Sequence, residues 1–90
     1  MIEIRLYSRD GCGLCEEAKD ALHGLGRRIA LVVKEIDISS DAALEKAYFD
    51  KIPVVEIGEA HMFAPIDPHE LEQFVRRAEQ NQYNDARAGR

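Results

Sequence analysis

The sequence predicts an α/β domain with the element order βαβαββα, a four-stranded mixed sheet flanked by three helices. Three observations carry that prediction. Ile2, Ile4 and Leu6 alternate with Glu3, Arg5 and Tyr7, the period-two pattern of a strand with one buried face. Leu14, Ala18, Ala21, Leu22 and Leu25 then recur at the spacing of one helix face. Near the other end, Val54 to Ile57 and Ala60 to Phe63 flank Gly58-Glu59, a two-residue hairpin turn.

The elements between follow in order. The first helix is expected to stop around His23-Gly24-Leu25-Gly26, the glycines supplying left-handed positions. Ile29 to Val33 is a short, branched, nearly continuous apolar run, as for a strand buried on both faces, and it continues to Ile38. Strand, helix and strand in succession imply a parallel pair with a right-handed crossover. Ser39, Ser40 and Asp41 are all good N-caps for a second helix, to which Ala43, Leu44, Ala47 and Tyr48 give a short apolar face. Asp50-Lys51 ends it. Asp67-Pro68-His69-Glu70 is the clearest helix start: a cap, a proline at the first helical position, and a capping-box glutamate. Leu71, Phe74, Val75 and Ala78 form the buried stripe of that last helix. The domain is expected to span residues 1–80, and 81–90, without an apolar period, to form a disordered polar tail.

Ninety residues with 46% apolar and 32% charged content suit one ordinary globular domain. No run approaches the ~20 apolar residues of a membrane span. The N-terminus enters a charged strand within three residues, so no export signal is expected there and the default location is cytoplasmic. A net charge of −5 argues against nucleic acid or an anionic membrane as partner. The expected assembly state is a monomer.

Both cysteines fall at the first strand–helix junction, in Cys12-Gly13-Leu14-Cys15, after Gly11. In a cytoplasmic chain such a pair is more often catalytic or metal-binding than structural. Unpaired N–H groups and the peptide dipoles at a helix start stabilise a thiolate, lowering its pKa from roughly 8.5. Cys12 is therefore the expected nucleophile, and Cys15, one turn on, the thiol that resolves a mixed disulfide. Asp10, Glu16 and Glu17 oppose the thiolate, but as exposed charges they are screened. His23, His61 and His69 lack the spacing of common zinc modules and read as surface residues; no metal ligands are assigned.

The strand, the Cys12–Cys15 motif opening a helix, and Ile52-Pro53 before an apolar run resemble the thioredoxin superfamily. Chain length and the Tyr7-Ser8-Arg9 lead-in look more like its glutaredoxin-like branch; the resemblance covers residues 1 to about 78. It implies a cis bond between Ile52 and Pro53, a proline packed opposite the dithiol, and an Ile52 backbone that pairs with an extended substrate. It also implies a cationic role for Arg9, where many glutaredoxins carry a lysine that lowers the thiol pKa and meets a glutathione carboxylate. Lys51 is a candidate second cation, and Gly13 and Leu14, standing where proline and tyrosine are usual, are candidate substrate contacts. Where glutaredoxins have a Gly-Gly turn and an acidic residue for the glutathione amine, this chain has Ala64-Pro65-Ile66-Asp67-Pro68.

The function implied is a small dithiol–disulfide oxidoreductase acting on protein disulfides or glutathione mixed disulfides. It requires no cofactor, with glutathione as a candidate co-substrate. Two alternatives stand beside it: an iron–sulfur or metal-binding module acting as a dimer, since one chain supplies too few thiolates, and a non-catalytic interaction module.

Overall fold

The computed structural model describes residues 1–88, and side-chain surroundings through residue 82. Strand β1 (Ile2–Ser8) leads to helix α1 (Gly13–Leu25) and strand β2 (Leu31–Asp37). A short 3-10 turn (Ile38–Ser40) precedes helix α2 (Ala42–Tyr48), the hairpin β3 (Val54–Ile57) and β4 (Ala60–Phe63), and helix α3 (Pro68–Ala88). The sheet runs β2-β1-β3-β4, with β1 parallel to β2 and antiparallel to β3. The expected order and mixed sheet are both present.

Alternation along β1 divides the molecule into two layers. Ile2, Ile4 and Leu6 face α1 and α3, where they meet Ala18, Leu22, Leu25, Ile29, Val55, Leu71 and Val75 in the main core. The opposite sheet face has only α2 and the 3-10 turn over one end, where Tyr7, Ile38 and Val54 pack with Ile36, Leu44, Tyr48 and Ile52. Gly58 has φ 59°, and Glu59 keeps a negative φ, the pattern of a type II′ turn. Asp67 accepts the Glu70 N–H at 3.0 Å and caps α3.

Five expectations need correction. β2 is an edge strand with Val32 40% exposed, not one buried on both faces; only its flanking Ile29 and Ile38 are fully buried. An apolar run reports burial without saying which residues share it. Leu14 is 56% exposed, because Cys15 takes the inward position of the first turn of α1. Gly26 closes α1 in the right-handed region (φ −60°), through N–H bonds to Leu22 and Gly24, and Gly24 has no positive φ either. On α2 only Leu44 and Tyr48 pack inward; Ala43 and Ala47 are exposed. The helix expected to end near residue 80 in a disordered tail instead runs to Ala88, since neither glycine nor proline interrupts it after Pro68. The last two residues of that tail lie outside the described residues.

The uncovered part of the second sheet face carries a charged ladder to which every strand contributes. Lys34 Nζ lies 3.3 Å from Glu3, Arg5 lies 3.7 Å from Glu3 and 3.2 Å from Glu56, and His61 Nε2 lies 2.8 Å from Glu56. The Tyr7 hydroxyl also donates to Glu56, at 3.0 Å. Burial pushes the Glu56 carboxyl up, but the bonds from Arg5, Tyr7 and His61 outweigh it and hold the group below its ordinary 4.5. A depressed carboxyl stabilises the fold above its unfolded pKa, and that contribution is lost as pH falls through the folded value. Glu56→Gln is therefore expected to cost about 1–3 kcal/mol at pH 7. It should also flatten the loss of stability in urea titrations carried below about pH 4.5. Equal acid sensitivity in the two proteins would contradict this.

Candidate functional site: a dithiol at a helix N-terminus

β1 ends at Ser8, whose buried hydroxyl donates to Glu35 of β2 at 3.2 Å. Glu35 also binds Lys19 of α1 at 3.3 Å, so one carboxylate ties both neighbours of the junction together. The chain then reverses through Gly11, whose φ of 79° is a left-handed value that strongly favours glycine. The Cys12 N–H donates to the Arg9 carbonyl at 3.2 Å, closing the turn.

Cys12 is the N-cap of α1. Its sulfur accepts the Cys15 N–H at 3.2 Å, taking the place of the usual capping oxygen. Cys12 and Cys15 are joined in a disulfide, with Cα atoms 5.2 Å apart. Their exposure differs: Cys12 is half-buried, whereas Cys15 is 3% exposed and sits on the buried face of the helix. Asp10, Glu16 and Glu17 are all exposed.

Ile52-Pro53 lies at the same end of the sheet, because Val54 pairs with Tyr7, the residue before Ser8. The Ile52–Pro53 bond is cis and Pro53 is fully buried. Ile52 is half-buried in the smaller cluster, and its N–H donates to the Tyr48 carbonyl at 3.2 Å. That bond engages the Ile52 N–H within the protein. A second cis bond, Ala64–Pro65, follows β4, and sequence reading missed it.

The remaining candidates are placed less uniformly. Gly13 and Leu14 form an exposed lip beside Cys12. Lys51 is exposed and pairs with Asp50 at 3.2 Å. Arg9 does not stand free at the dithiol: its guanidinium pairs with Glu45 of α2. That pair lies in an open groove of about 350 Å³ lined by Arg9, Ala42, Glu45, Lys46 and Phe49. Glu45 was invisible as a site residue in the sequence, since 36 positions separate it from Arg9. His23, His61 and His69 are exposed, as expected, and His61 stacks on Phe63 at 6.1 Å. No helix among the described residues is long and apolar enough to cross a membrane.

A mixed sheet of this order, with a cysteine pair opening the first helix, defines a thioredoxin-like redox-type module. The chain belongs to the glutaredoxin-like domain (DUF836) family, whose model matches residues 3–76. Among solved structures, the structural genomics target protein XcR50 from X. campestris is 33% identical, with a TM-score of 0.69 over 82% of this chain and 96% of that one. Protein Ne2328 from Nitrosomonas europaea is 24% identical, with a TM-score of 0.69 over 81% of this chain and 89% of its own. A mutant thioredoxin from Halobacterium salinarum is 20% identical, with a TM-score of 0.67 over 86% of this chain and 74% of its own. These last two share the fold. No curated protein matches the sequence at a significant level.

Proposed function

We propose that this protein is a dithiol–disulfide oxidoreductase that reduces protein disulfides or mixed disulfides with glutathione. The observation that carries the reading is the asymmetry of the pair: a half-exposed Cys12 capping α1, bonded to a buried Cys15. In the reduced protein the Cys15 N–H and the helix terminus stabilise a thiolate at Cys12. Attack by that thiolate breaks the substrate S–S bond, joins Cys12 to one substrate sulfur and releases the other as a thiolate. Cys15, once deprotonated, attacks the Cys12 sulfur, closes the Cys12–Cys15 disulfide and releases the second substrate thiolate. Two electrons pass from the dithiol to the substrate, and the released thiolates take up protons from solvent.

The pH dependence of alkylation by iodoacetamide tests the activated thiol. Reduced Cys15→Ser is expected to titrate with an apparent pKa well below 8, and reduced Cys12→Ser to react slowly or near the ordinary value of roughly 8.5. If both variants titrate like free cysteine, the helix terminus activates neither thiol and the oxidoreductase reading fails.

A further inference from the structure

The cation nearest the dithiol in sequence is already occupied. Arg9 holds Cys12 through its backbone carbonyl, yet its guanidinium is turned to Glu45 across the groove beside α2. Both partners are substantially exposed, with side chains 41% and 46% accessible, so the pair is open to an incoming ligand. Phe49, 60% exposed, forms an apolar part of the groove lining, and Lys46 is its second cation. Around the motif and groove, Asp10, Glu16, Glu17, Asp37 and Glu45 outnumber Arg9 and Lys46, and Lys51 is paired with Asp50, in a chain whose net charge is −5.

An anionic substrate meets an unfavourable exchange there. To use Arg9 its carboxylate must displace Glu45, replacing one ion pair by another and leaving an extra like charge in the groove. A basic substrate needs no displacement and finds carboxylates on both sides of the motif. We propose that Glu45 is a specificity-determining residue. By holding Arg9 it denies the guanidinium to anionic disulfides and biases the dithiol toward disulfides flanked by neutral or basic groups. This rests on the exchange reaction proposed above and narrows its substrate class. Exposed ion pairs are weak, so the effect is a bias of a few-fold and not an exclusion.

The test uses the full chain, pre-reduced and freed of reductant, in single-turnover exchange with three small disulfides. These are cystamine (dicationic), 2-hydroxyethyl disulfide (neutral) and 3,3′-dithiodipropionate (dianionic). The wild type is expected to favour cystamine. Glu45→Gln is expected to raise the dithiodipropionate-to-cystamine rate ratio roughly three- to tenfold at about 20 mM salt, and much less at about 300 mM. Adding Arg9→Gln should remove most of that gain, because the freed guanidinium is what receives the carboxylate. A ratio unmoved by Glu45→Gln, or moved equally at both salt levels, overturns the proposal. So does a gain that survives the loss of Arg9, since Glu45 would then act by its own charge alone. A wild type that exchanges with none of the three disulfides overturns the redox reading itself, whereas exchange with all three and an unmoved ratio overturns only the role of Glu45.

Discussion

Cys12→Ser is expected to reduce disulfide substrates at least about a thousandfold more slowly than the wild type, because the reaction loses the accessible thiol of the pair. Cys15 cannot take over: it is 3% exposed and faces the core side of α1. Cys15→Ser should behave differently. It retains the attacking thiol but not the resolving one, so a mixed disulfide with one substrate thiol per protein should accumulate, visible as an added mass that a reductant removes. Substrate reduction at an unaltered rate by Cys12→Ser, or no adduct on Cys15→Ser, would refute the assigned roles.

The largest expected loss of stability is at the centre of the main core. Leu22, fully buried on α1, packs within the cluster of Ile2, Ile4 and Leu6 from β1 and Leu71 and Val75 from α3. Leu22→Ala removes apolar contact and leaves a cavity that α1, bounded by the sheet and by α3, can only partly collapse. The expected cost is about 3 kcal/mol, within the roughly 2–5 kcal/mol seen for such truncations. That is a large part of the roughly 5–15 kcal/mol that holds a typical domain folded. At about 4–8 °C per kcal/mol for a chain of this size, melting should fall by roughly 12–24 °C. Urea unfolding of the disulfide-bonded forms checks it; a change below about 1 kcal/mol would mean that the site relaxes freely.

What the sequence revealed tracks what is local. The alternation of β1, the hairpin at Gly58-Glu59 and the cap at Asp67 each rest on residues within a few positions of one another, and all three are present. The dithiol at the start of α1 was legible for the same reason. The cis Ile52–Pro53 bond was legible only through family resemblance, and Ala64–Pro65, with no such precedent, was missed. Errors arose where neighbours distant in the chain decide the outcome. Whether β2 is central or at an edge depends on which strands pair with β1, and its own residues do not encode that. Periodicity placed Leu14 on the buried face of α1, but Cys15 occupies the inward position there. The partners of Arg9 and Glu56 lie on other elements: Glu45 for the first, Arg5, Tyr7 and His61 for the second.

The ladder of charges on the open sheet face also guards the alignment of the strands. Side chains in a strand alternate faces, so sliding one strand by a single residue exchanges its two sets. Slipping β1 against its neighbours would turn Glu3 and Arg5 beneath α1 and α3 and push Ile2, Ile4 and Leu6 into water. Slipping β3 would bury Glu56 without Arg5, Tyr7 or His61 to receive it. A misaligned sheet thus loses twice, forfeiting apolar burial on one side and stranding charge on the other. Pairs whose individual contribution at a surface is slight become costly to misplace, and the ladder acts chiefly by penalising the wrong alignments of this small sheet.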